Sequence, residues 1–190
     1  MSNVDICNQA LTFLGADRIM SLTENNENAR RCNSIFEQTR DEVLRGHPWN
    51  FAIERAALAT LSTTPEYEWS VQYQLPVDCL RVLATNTRDM EYKIEGKRLL
   101  CDDSGVKIKY IKRVTDPTQF DSMFTEALAA KLSAKLAYPI TESKTLFDAA
   151  TKLYGEILAD ARSADGQEGT PDPIRDGGWI DARSMEWGTI

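Results

Sequence analysis

The chain has a single histidine among its 190 residues, and that scarcity removes most nucleophilic and metal chemistry. A Ser-His-Asp arrangement would have to be built on His47. That residue sits in Gly46-His47-Pro48-Trp49, at a helix end before a proline, where capping or packing is the expected role. The four cysteines, Cys7, Cys32, Cys79 and Cys101, never fall at a C-x-x-C spacing, so zinc-finger and thioredoxin patterns are absent. They read as reduced thiols packed as small hydrophobes. No run approaches the roughly 20 apolar residues of a membrane helix. Met1-Ser2-Asn3-Val4-Asp5 lacks a positive start and an apolar stretch, so no signal peptide is expected. There is no Gly-rich phosphate loop, no GxSxG elbow and no HExxH. Cations are also in deficit. Lys plus Arg total 22 against 29 for Asp plus Glu, a net charge of −7. A tight nucleic-acid binder shows a basic stripe. The acidic balance argues against gripping DNA but not against a channel through which DNA slides.

The remaining composition is that of a globular domain, with 42% hydrophobic and 27% charged residues. Ser2 and Asp5 have capping-box spacing, and Ile6, Ala10, Phe13 and Leu14 share one helical face before Gly15 stops the helix. A second helix is expected from Asn26 to Arg45. Its apolar stripe is Ala29, Cys32, Ile35, Phe36, Thr39, Val43 and Leu44, and Arg30, Arg31, Glu37, Arg40, Asp41 and Glu42 form the solvated face. Gly46 and Pro48 end it.

The period then changes to two. Phe51 to Ala56, Ser70 to Leu75, Cys79 to Ala84, Tyr92 to Glu95, Arg98 to Cys101 and Val106 to Arg113 read as short strands. Gly96-Lys97 joins two of them as a hairpin. Such strands suggest an antiparallel meander or small sandwich. Asp102-Asp103-Ser104-Gly105 reads as a turn, and Asp41-Glu42 as a solvated pair, rather than as calcium or catalytic sites.

Helical spacing returns at Asp116-Pro117, read as N-cap and N1. The stripe Phe120, Met123, Phe124, Ala127, Leu128, Leu132 and Leu136 follows, and Pro139 is expected to end that helix. Thr141 or Ser143 caps a fourth helix. Its buried stripe is expected to be Leu146, Ala149, Ala150, Leu153, Tyr154, Ile157, Leu158 and Ala161. The short link makes the last two helices antiparallel neighbours. From Ser163 onward glycine and proline mix with Trp179, Ile180, Met185, Trp187 and Ile190. Tryptophan is foreign to solvated tails, so this segment reads either as a docking arm or as a segment folded back on its own helices. The fold class is α+β. Residues 1–48 and 116–164 form an antiparallel helical bundle of four main helices. A small antiparallel β-rich domain, residues 49–115, is inserted between helices two and three, and an extended arm covers 165–190.

This order carries a family resemblance. Its motifs are Ile6-Cys7-Asn8-Gln9-Ala10-Leu11 with Leu14-Gly15, Ala29-Arg30-Arg31-Cys32, and Arg40-Asp41-Glu42-Val43-Leu44-Arg45 running into Pro48-Trp49. Tyr73-Gln74-Leu75-Pro76, Asp78-Cys79-Leu80-Arg81-Val82, Tyr110-Ile111 through Asp116-Pro117, Phe124 with Ala127-Leu128-Ala129, and Trp179-Ile180-Asp181-Ala182-Arg183 follow in order. From about residue 4 to residue 184 the chain resembles the tail tubular protein A family. These are the head-to-tail adaptors of short-tailed phages. Each motif alone is weak, and the specificity lies in their order.

The resemblance implies a non-enzymatic virion protein, made in the host cytoplasm and needing no cofactor. It implies a homo-oligomeric ring of about twelve subunits between a portal protein and a tail nozzle or tube. DNA would pass through that ring without specific binding, and no membrane is involved. Trp179, Ile180, Asp181, Arg183 and Trp187 become the portal-binding candidates. Arg30, Arg31, Arg40 and Glu37 become subunit-interface candidates, and Tyr67, Trp69 and Tyr73 nozzle-facing ones. Two other classes stay open. One is a tail-associated glycan- or wall-cleaving enzyme with two acids about 5–10 Å apart in a cleft. The other is a cellular α+β interaction module.

Overall fold

The computed structural model describes residues 1–87 and 89–168. It is α+β, with four helices and two small antiparallel sheets. Helix α1 (Asn3–Phe13) opens on the expected capping box. The Asp5 amide donates to Ser2 Oγ at 3.2 Å, and the Ser2 amide donates to the Asp5 carboxylate at 2.8 Å. It closes at Gly15, whose φ of +66° only glycine adopts cheaply. There the Gly15 and Ala16 amides donate to Thr12 and Leu11, which is the Schellman pattern. The buried Asn8 then fixes the exit. Its amide group donates to the Ile19 carbonyl at 2.9 Å and accepts from the Ile19 N–H at 2.8 Å.

Helix α2 (Glu27–Gly46) is capped by Asn26 and buries the expected stripe, with Ile35 left half-buried. One correction falls here. Arg40 was assigned to the solvated face, yet it is 5% exposed. A buried guanidinium needs a charged partner, and Arg40 finds one in Asp41 at 2.8 Å.

Six strands follow: β1 (Ile53–Ala57), β2 (Val71–Gln74), β3 (Cys79–Thr85), β4 (Tyr92–Glu95), β5 (Arg98–Cys101) and β6 (Lys107–Lys112). They form two three-stranded sheets, ordered β1-β6-β3 and β2-β5-β4. Of the two expected arrangements, the sandwich is the one adopted. Strand β6 explains why. Ile111, on one face, belongs to the helical core, while Ile108 and Tyr110, on the other, join Tyr73, Leu99 and Cys101 of the second sheet in a separate core. The first sheet is therefore apolar along the face towards the second sheet and, on the other face, at the Ile111 end that meets the helices. The β4–β5 hairpin turns through Gly96 (φ +52°) and Lys97 (φ +62°), the two positive φ values of a type I′ turn.

The third helix departs from expectation at both ends. Asp116-Pro117 opens only a separate 3₁₀ turn, Pro117–Gln119. Helix α3 (Ser122–Thr141) is capped by Asp121, which accepts from the Met123 and Phe124 amides. Pro139 lies inside α3 rather than at its end. It falls in the last turn, so its missing N–H removes one bond and the helix survives only two residues more. Glu142, left-handed at φ +52°, closes it.

Helix α4 (Lys144–Gln167) returns along α3, with Lys131 Nζ placed 4.7 Å above the Tyr154 ring. It continues beyond the expected boundary at 164. Only Ala150 and Ala161 of its apolar stripe are buried, and Leu153, Tyr154, Ile157 and Leu158 remain partly exposed. Helix α3 meets all three other helices and is the centre of the helical part. Helix α4 packs chiefly on α3, which covers only part of its stripe.

Candidate functional site

The Gly46-His47-Pro48-Trp49-Asn50 segment must satisfy the last carbonyls of α2, which lack partners within the helix. Trp49 does part of this. Its indole N–H donates to the Val43 carbonyl at 3.0 Å while the ring is wholly buried. The ring stands edge-on to His47 at 4.7 Å and to Phe124 of α3 at 5.2 Å. Phe51 and Phe120 extend the aromatic cluster. Asp165 of α4 completes the site. Its carboxylate lies 2.9 Å from His47 Nε2 and accepts from the Asn50 N–H at 2.9 Å, and its carbonyl accepts from the Asn50 side-chain amide at 2.6 Å. One short motif thus ties α2, α3 and α4 together.

Charged residues of α2 extend these ties. Glu42 bridges to α3 through Lys131 at 3.1 Å and Lys135 at 2.5 Å. The hydrogen bond from Lys135, reinforced by Lys131, holds the Glu42 carboxyl below the usual carboxylate range despite partial burial. Asp41 accepts from Arg40 and from Arg113, the latter at 2.7 Å. Arg45 donates to the Leu80 carbonyl of β3. Asp41 and Glu42 were read as a solvated pair. Glu42 is indeed exposed and Asp41 half-buried, and both in addition fasten α2 to α3 and to the end of the first sheet.

Cys7 and Cys32 lie side by side in the helical core, where a hydrogen bond with Cys32 and burial push the Cys7 thiol up. Burial likewise pushes up the Tyr110 hydroxyl, to about 12, with Asp78 beside it contributing. Among the described residues, no group of three or more His, Cys, Asp or Glu side chains is placed to hold a metal ion. None of the described helices is long and apolar enough to cross a membrane.

The subunit-interface candidates divide. Arg30 pairs with Glu27 at 3.1 Å and donates to Asn25. Arg31 pairs with Glu27 and donates to the Pro139 carbonyl. Both remain at least partly exposed, and Glu37 is exposed. Arg40 is committed to the interior and presents no face to a neighbour.

The nozzle-facing candidates divide as well. Tyr67 is 76% exposed and Trp69 half-buried, beside a cleft of about 480 Å³ that Gln72 and Arg98 also line. Tyr73 is a second correction. It is 1% exposed, because the inward face of β2 carries it into the second core, where its hydroxyl donates to the Asp103 carbonyl at 2.9 Å. Trp179, Ile180, Asp181, Arg183 and Trp187 lie outside the described residues. Further exposed apolar groups are Tyr138, Leu146 and Phe147 at the α3–α4 junction, and Tyr92 and Ile94 on the edge strand β4.

Sequence reasoning missed Asn8 and Asp165. Asn8 falls inside an apolar helix pattern, where an amide is an anomaly that signals a buried hydrogen-bond role. Asp165 gave no signal, since its partners lie more than 100 residues away. No protein-family model matches the chain, and no curated protein matches it.

Proposed function

We propose that this chain is a structural, non-enzymatic virion protein, a head-to-tail adaptor joining a portal ring to the nozzle or tube of a short phage tail. The observation that carries the reading is the ordered series of motifs that resembles the tail tubular protein A family. The element order supports it: two helices, a set of short strands, then two helices. In this reading the strands form a domain inserted between helices two and three, and residues 169–190 form the arm that docks on the portal.

A ring requires two different faces on each subunit, meeting heterologously and closing on rotation. The partly exposed apolar stripe of α4 and the charged face of α2 are suited to that role. Residues such as Ile157 and Leu158 would bury apolar area against the next subunit. Arg30, Arg31 and Glu37 would set register more than affinity. The exposed Tyr67 beside Trp69 would face the nozzle. The ring would hold about twelve copies and would let DNA pass.

The test is native mass spectrometry of the full chain mixed with a portal ring from the same genome. The expected result is a mass gain of about twelve 21.4 kDa subunits. No complex between two folded proteins would end the adaptor reading. A truncation at residue 168 that still binds portal would end the assignment of the arm.

A further inference from the structure

We infer that the face of the first sheet carrying Arg55, Lys107 and Lys109 docks the phosphate backbone of a nucleic acid. The register places these cations together. In the antiparallel β1–β6 pair, Arg55 stands directly opposite Lys109, and Ala57 opposite Lys107. Directly paired residues share a face, so all three cations lie on the face that also carries Ile53 and Ile111. At the Ile111 end that face is covered by the helical core. At the Lys107 end, where Arg55 and Lys107 are exposed, the sheet borders a cleft of about 400 Å³ lined by residues of both faces, the three cations and Asn86 among them.

Two features mark this face as more than a solvated patch. Like charges directly opposite one another in a sheet are destabilising. Arg55 and Lys109 nevertheless stand in that relation, and none of the three cations has a carboxylate partner among the described ion pairs. The neighbouring cations Lys112 and Arg113 are both paired, with Glu54 and Asp41. The position of Lys107 is also fixed. Its N–H donates to Asn86 Oδ1 at 2.8 Å, and its carbonyl accepts from the Asn86 N–H at 2.9 Å. In a chain of net charge −7, an uncompensated basic row on a rigid strand is a local reversal of the prevailing charge. Screening confines its influence to about 10 Å, so the distant acids weaken it little.

The spacing favours a nucleic-acid strand over an acidic protein surface. Residues i and i+2 of one strand lie about 6.7 Å apart, close to the separation of neighbouring phosphates along a strand. Lys107 and Lys109 therefore form a row of point charges in phosphate register, with Arg55 beside them as a fork for one phosphate. Three contacts give weak, sequence-independent binding, which suits DNA that must slide. The inference does not rest on the adaptor reading. An adaptor with an inert sheet face would still join portal to tail, and a module of another kind could carry this face.

The test is fluorescence anisotropy of the full chain with a labelled DNA duplex of about 20 base pairs, followed as salt rises from about 50 to 200 mM. Three phosphate contacts predict a log–log slope near −2.7 and about a 40-fold loss of affinity over that range. Lys107→Gln alone should reduce the slope by about 0.9. The triple variant R55Q/K107Q/K109Q, checked for folding by circular dichroism, should abolish binding. The double variant K144Q/K152Q on α4 should bind as the parent does. Undiminished binding by the folded triple variant overturns the inference, as does a folded parent that binds no duplex at low salt. A poly-glutamate peptide that binds this face more tightly than DNA assigns it to an acidic protein and also overturns it.

Discussion

His47 and Asp165 are 118 residues apart in sequence, and their side chains meet at 2.9 Å. The contact closes the end of α2 against the last turn of α4, and the backbone of Asn50 shares the same carboxylate. Asp165→Ala removes both contacts and leaves the Asn50 amide without its acceptor. The expected cost is about 1–3 kcal/mol. Combined with His47→Ala, the loss should be less than the sum of the two singles, because they share one interaction. Urea denaturation of the four proteins in the cycle measures this. Strictly additive losses would mean that the pair contributes no coupling.

Asn8→Leu should destabilise by a similar amount, about 1–3 kcal/mol, although leucine suits the surrounding core. The substitution leaves the N–H and carbonyl of Ile19 buried without partners. Thermal denaturation gives the stability change. Hydrogen exchange at the Ile19 amide should accelerate, and an unchanged rate would show that another group takes over.

Glu42 supplies a pH signature. Its carboxyl is held below the ordinary glutamate range by the Lys135 hydrogen bond and then by Lys131. A carboxyl depressed in the folded state adds stability above its unfolded pKa and loses it as pH falls through the folded pKa. Glu42→Gln should therefore cost stability at pH 7, with the difference from the parent closing below about pH 4. The side chain is 48% exposed, so solvent screening limits the effect to less than about 1 kcal/mol. Denaturant titrations at both pH values decide it. A constant difference across that range would show the contribution to be independent of the carboxyl's charge.

Lys97 holds a left-handed conformation at φ +62° in the hairpin turn. Non-glycine residues adopt that region at a cost of roughly 1–2 kcal/mol. Glycine avoids that cost but is more flexible in the unfolded chain, so Lys97→Gly should raise stability by about 1 kcal/mol. The melting temperature should rise by a few degrees. A fall would show that the lysine side chain contributes more than its backbone conformation costs.

Much of the secondary structure was legible because its signals are local. The Ser2–Asp5 box, the Gly15 stop and the Gly96-Lys97 hairpin each involve residues within a few positions of one another, and each formed as read. The errors share a different cause. Pro139 was read as a terminator because its local cost is fixed, but in the last helical turn that cost falls on a single bond. Arg40 was read as solvated because charge is usually exposed, and no local pattern announces a buried pair with Asp41. Tyr73 was read as a surface aromatic because alternation along β2 does not reveal that a second sheet covers its face.

The sequence by itself determined the α+β class, the order of helices and strands, and the caps of the first and last helices, because spacing and capping act over one or two turns. Tertiary structure alone decided which apolar stripes are covered. It left α4 partly exposed, since only α3 lies against most of it. It also decided which charges are paired within the fold, at Asp41, Glu42 and Asp165, and which have no ion-pair partner among the described residues, at Arg55, Lys107 and Lys109. Those outcomes depend on strand register and helix packing, which bring together residues from distant parts of the chain.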